Sequence, residues 1–132
     1  SGRCDAYLKK DRAKNIALIR GTPESGYTPI SSGFTPLRVI AVGEECMTLA
    51  EAELITGKPH QLRAHFKHLG CPVMGDRKYF TPDSRALSEK LKIKRQLLHS
   101  FSIEFPVLDG ALSALSGKSF KAELPKDMAG LI

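Results

Sequence analysis

From Thr56 to His65 the chain reads T-G-K-P-H-Q-L-R-A-H, a glycine turn that runs into a basic stretch. At about 100° per helical residue, Leu62, Phe66 and Leu69 share one sector, and His60, Arg63 and Lys67 share another. One face can pack while the other meets charge. Lys58 and the unpaired amides of the helix start add positive charge and donors, a combination suited to a phosphate or a carboxylate. An ordinary amphipathic helix with a solvated basic face has the same pattern, and both readings stand at this point. The turn is no P-loop, because the second glycine and the Gly-Lys-Ser/Thr order are missing.

His60, His65 and His68, with Cys71 just beyond, raise the question of a metal. Helical spacing turns His60 away from the other two, so a tetrahedral set does not converge and no metal site is expected. His99 reads as a hydrogen-bonded core histidine. The connector Gly70 to Tyr79, G-C-P-V-M-G-D-R-K-Y, carries Arg77 and Lys78, which could touch RNA phosphates. Tyr79 could stack on a base or serve as packing.

These residues need elements to hold them. Residues 5 to 10 read as a short turn or helix, Asn15 to Arg20 as a strand, and Gly21 to Gly33 as a surface loop. Phe34 to Val42 and Met47 to Ile55 form two strands joined across Gly43 to Cys46 as a hairpin, with Pro36 near an edge. Pro59 to Leu69 is predicted helical, stopped by Gly70, and Asp83 to Lys92 is a second helix after Thr81 and Pro82. Leu97 to Phe105 alternates as a strand, and Ser119 to Leu124 is a last strand before a C-terminal turn from Lys126. The expected fold is α+β, a mixed or mostly antiparallel sheet with two main helices.

The 132 residues fit a single domain, and 42% hydrophobic residues suffice for one modest core. A formal charge of +6, from 20 Lys plus Arg against 14 Asp plus Glu, favours a polyanionic partner such as RNA. Three dispersed cysteines, Cys4, Cys46 and Cys71, offer neither a disulfide framework nor a metal knuckle. Apolar runs such as Leu37 to Val42 fall far below the roughly 18 residues needed to cross a bilayer, so a cytoplasmic address and no membrane partner are expected. Nothing in the pattern fixes an oligomeric state.

Taken together, Thr56 to His65 and Gly70 to Tyr79 resemble motif III of the RluA-type RNA pseudouridine synthases. That motif runs T-G-R-x-H-Q-[IL]-R-x-H and then G-x-P-[IV]-x-G-D-x-x-Y. The likeness extends to Arg95 to Ser100, to Phe105 and Pro106, to Phe120 to Asp127, and to Tyr7 to Asp11 with Asn15, which resembles the family's L-x-K-D connection. The resemblance implies isomerisation of uridine in RNA, ribosomal RNA by the family's name, with the base flipped from its stack and an aspartate essential to the attack. It implies no cofactor and no metal.

By the same resemblance Arg63 is the arginine that pairs with the catalytic aspartate, and Leu62 packs on the target base. Thr56, Gly57, Lys58, His60 and Gln61 form the RNA-facing turn and helix start. Lys58 stands where the family has arginine, which keeps the charge and loses the bidentate fork. The R-L-D segment followed by Thr-Ser-Gly, which holds the nucleophile, has no counterpart here. Gly2-Arg3-Cys4-Asp5 imitates its opening letters without the continuation. The expectation is a C-terminal part of the catalytic domain, inactive alone, with a non-catalytic RNA-binding module as the alternative.

Overall fold

The computed structural model describes residues 1–132, which divide into two compact units, Ser1–Leu97 and Leu98–Ile132. The first is built on a four-stranded antiparallel sheet of β1 (Gly2–Asp11), β2 (Ile16–Arg20), β3 (Thr28–Val42) and β4 (Glu45–Leu54), in the order β2-β1-β3-β4. Helices α1 (Gln61–His68) and α2 (Pro82–Lys90) follow. The second unit holds a short antiparallel pair, β5 (Ser102–Glu104) and β6 (Ser119–Lys121), a 3-10 turn at Gly110–Leu115, and α3 (Lys126–Ala129). The α+β expectation is met with a wholly antiparallel pairing.

Several boundaries depart from expectation. Residues 5 to 10 lie within β1 and are extended, because Ala6 and Leu8 point alternately inward while Asp5 and Lys9 face solvent. Thr28 to Gly33 are strand rather than loop. Ile30, Ser31, Ser32 and Gly33 are buried at the centre of the sheet, where Ile30 pairs with Ala6 and Ser32 with Cys4. Small side chains suit that position: a Cβ on Gly33 would crowd the Glu53 side chain at 3.2 Å. Of Leu97 to Phe105 only Ser102–Glu104 is a strand, so His99 lies outside regular structure, half-buried, with Nε2 unpartnered.

Beyond Phe34, β3 loses its pairing with β1 and continues with β4 alone. A register shift between Pro36 and Arg38 marks a bulge where proline cannot donate to the ladder. On this two-stranded arm Leu37 and Val39 are 57% and 67% exposed.

Helix α2 begins as its residues suggest. The Thr81 hydroxyl accepts from the Ser84 amide at 3.3 Å, and Ser84 Oγ accepts from the Thr81 amide at 3.0 Å, a reciprocal cap with Pro82 in the first turn. Helix α1 departs from its predicted face. Gln61, Ala64 and His65 are buried, whereas Leu62 and Phe66 are half-buried and Leu69 is exposed. The core that α1 covers is formed by Ala6, Leu8, Ala17 and Ile30, with Tyr79 beside them.

Candidate functional site

Helix α1 is fixed to the sheet by a buried polar network centred on Gln61. The Gln61 carboxamide oxygen accepts from the Thr56 hydroxyl at 2.9 Å and from the Lys58 amide at 3.0 Å. Its nitrogen donates to the Ser31 carbonyl at 3.0 Å and to Ser32 Oγ at 2.9 Å. All four valences of the amide are thereby used. The Thr56 hydroxyl also accepts from the Ser31 amide at 2.9 Å, so the turn before the helix is tied to β3. Ser32 Oγ lies 3.1 Å from His65 Nδ1, which leaves the buried His65 Nε2 without a partner. Burial, followed by the nearby charge of His68, holds His65 below the usual histidine pKa.

This geometry corrects the expectation for Gln61. Its side chain is 2% exposed and fully bonded, so it positions the turn rather than facing RNA. Thr56 has the same task, with its hydroxyl committed inward. Gly57 and Lys58 are exposed on the turn that these two residues hold.

Two residues on, Arg63 meets Asp76. Arg63 Nε donates to Asp76 Oδ2 at 2.6 Å and Nη2 donates to Oδ1 at 2.9 Å, a side-on bidentate pair. The Asp76 side chain is fully buried and that of Arg63 is 18% exposed. Asp76 Oδ1 also accepts the amides of Lys78 at 2.8 Å and Tyr79 at 2.9 Å. Burial pushes this carboxyl upward, but Arg63 and the two amides more than offset it, and its pKa lies below the carboxylate norm. The hydrogen bond to Asp76 raises Arg63 correspondingly.

The turn that presents Asp76 depends on Gly75, whose φ is 75° and whose absent Cβ would run into the Arg95 carbonyl oxygen. The Gly75 amide donates to Ser88 Oγ of α2 at 2.9 Å, so α2 anchors the turn.

Tyr79 connects this pair to the start of α1. The Arg63 guanidinium carbon lies 5.1 Å from the centroid of the Tyr79 ring, and the His60 ring meets the same tyrosine edge-on at 5.5 Å. The Tyr79 hydroxyl accepts from the Ala17 amide at 2.6 Å and stands 2.9 Å from His60 Nδ1. Tyr79 is therefore buried packing with a bonded hydroxyl, 5% exposed, rather than a platform for a base. Burial pushes its pKa upward. His60, in the left-handed region at φ 57°, is held below the histidine norm by burial and then by the charges of Arg63, Lys10 and Lys78.

Thus Arg63, His60 and Tyr79 come together, with Lys78 bonded to the Asn15 carbonyl at 3.0 Å beside them. Leu62 is half-buried next to Arg63, while Lys67 and Arg77 are exposed. Sequence reasoning missed Asp76 as the partner of Arg63. The available signal was the G-D pair of the connector, where a glycine frees the backbone and an acid follows it.

No family model matches the sequence. Among curated proteins, the chloroplastic RNA pseudouridine synthase 2 of Oryza sativa subsp. japonica is 38% identical over 91 residues, covering 67% of this chain and 20% of that protein. An uncharacterized RNA pseudouridine synthase of Mycoplasma genitalium is 32% identical over 104 residues, 79% of this chain and 31% of the relative. The dual-specificity RNA pseudouridine synthase RluA of Escherichia coli is 46% identical over 44 residues, 33% of this chain and 20% of the relative. The chain spans about a fifth to a third of the length of these relatives.

Proposed function

We propose that this chain, a member of the RNA pseudouridine synthase family, is the part of a uridine-isomerising catalytic domain that supplies the arginine beside the attacking aspartate. Both compact units belong to that domain in this reading. The observation that carries it is the posture of Arg63. Asp76 holds the guanidinium side-on through Nε and Nη2, and Nη1 takes no part in the pair. A guanidinium has five donors, so a second carboxylate can approach the free edge while the first keeps the group in place.

The mechanism follows from that posture. Arg63 keeps the incoming aspartate ionised and directs it at the flipped uridine, whose glycosidic bond breaks and re-forms through carbon 5. Leu62, next along the helix, packs on the base. Lys58, Lys67, Arg77 and Lys78 lie exposed where phosphates can be neutralised, and Lys58 does so as a point charge. By the family resemblance the substrate is ribosomal RNA, the address is cytoplasmic, and neither cofactor nor metal takes part. No helix is long and apolar enough to cross a membrane.

The attacking aspartate belongs to an R-L-D segment outside these residues, so the 132 residues alone are inactive. Tritium release from RNA labelled at uridine carbon 5 tests this directly. The whole natural protein should release tritium and the 132-residue chain should not. Release by the short chain would place the nucleophile within it. Salt-sensitive RNA binding by the whole protein without any release would favour a non-catalytic RNA-binding module.

A further inference from the structure

Lys10 lies next to the end of β1 and Lys78 in the connector after α1, yet both ammonium groups converge on one residue. Lys10 Nζ donates to Asn15 Oδ1 at 2.6 Å, and Lys78 Nζ donates to the Asn15 main-chain oxygen at 3.0 Å. Asn15 occupies the left-handed region at φ 50°, which asparagine tolerates better than most residues. Both acceptors are neutral. They gather two cations without cancelling either charge, and neither lysine joins any of the ion pairs of the chain. Like charges held together repel, and a bound anion relieves that repulsion.

A third donor, His60, lies within reach of both lysine charges, which help to hold its pKa down. The Tyr79 hydroxyl accepts the Ala17 amide and so has its own proton to give to His60 Nδ1. With the hydroxyl donating to Nδ1, the neutral His60 ring carries its N–H on Nε2. The same Tyr79 ring carries Arg63 on its face and meets His60 edge-on, so His60 and the proposed nucleotide site share one aromatic neighbour.

We propose that Lys10, Lys78 and His60, gathered around Asn15 and Tyr79, bind one backbone phosphate of the RNA next to the nucleotide held at Arg63. The inference rests on the RNA-modifying reading given above and adds a place for the strand to grip. Phosphate suits the site because it accepts from several donors at once and carries the charge that the lysine pair lacks.

The test measures binding of a uridine-containing RNA hairpin to the whole natural protein across a salt series. The variants are a Lys10→Gln/Lys78→Gln double, Asn15→Asp, and Lys94→Gln as a control for net charge. The double variant should weaken binding about tenfold at low salt and flatten the slope of log affinity against log salt by roughly 0.7 to 1, the loss of one phosphate contact. Asn15→Asp is the sharper arm. It gives Lys10 a carboxylate acceptor and sets a negative charge beside Lys78, whose bond is to the main chain, so a purely structural role predicts wild-type affinity, whereas a phosphate site predicts a loss like that of the double variant. Lys94→Gln should change affinity less than about twofold.

Wild-type affinity and slope in the double variant and in Asn15→Asp would overturn the site, as would an equal loss in Lys94→Gln. A wild-type protein with no salt-dependent RNA binding would instead overturn the functional reading on which the site rests.

Discussion

The base of α1 and the outer arm of β3 and β4 are both made by neighbouring segments of one sheet, but they are held by different forces. At the base, the Gln61 amide, the Thr56 hydroxyl, the Ser31 main chain and Ser32 Oγ bond one another in a buried network, and Arg63 and Asp76 form a bidentate pair. On the arm, ladder hydrogen bonds join two strands whose Leu37 and Val39 stay in solvent. Polar groups sealed from water must find partners, so the first region is rigidly specified, while an exposed hairpin tolerates change. The proposed chemistry sits at the rigid end.

The contrast is broken most severely by Asp76→Ala, which leaves Arg63 without its buried partner and frees the Lys78 and Tyr79 amides. A loss of about 3 kcal/mol or more is expected in urea unfolding. Gln61→Ala comes next. It removes the four hydrogen bonds of the buried amide, leaves the Lys58 amide without its acceptor and should cost about 2 kcal/mol by the same measurement.

Acid should act on the same end of the molecule. His60 and His65 both fold with pKa values below the histidine norm of about 6.5, so the unfolded chain binds more protons as pH falls below that value. Their contribution is complete above about pH 6.5 and declines toward their folded values. Asp76, also depressed, adds a further loss below about pH 4. Unfolding midpoints measured from pH 7.5 down to pH 3 should therefore fall in two stages. The smallest effect belongs to the arm. Val39→Thr should change stability by less than about 0.5 kcal/mol, and a larger loss would show that the arm is packed in solution.

The same contrast governs what the sequence made legible. The β3-β4 hairpin, the capped start of α2 and the position of α1 follow from local patterns that neighbouring residues determine. The inward face of α1 did not, because a helix normally buries its apolar sector and this one buries Gln61 and His65 against serines. Thr28 to Gly33 look like a loop for the same reason. Their turn-forming residues are extended by pairing with β1 and by bonds to Thr56 and Gln61, and both partners lie far along the chain. Arg63 was recognisable from its motif, but its partner was not. Asp76 reaches it only through the Gly75 turn, which no helical or strand period encodes.

Arg63 carries the central claim, and its most direct test is tritium release from RNA labelled at uridine carbon 5 by the whole natural protein bearing Arg63→Met. The account predicts that RNA binding survives within a few fold while release falls by at least about a hundredfold, the scale on which loss of one preorganised electrostatic group is felt. Release at the wild-type rate would contradict it.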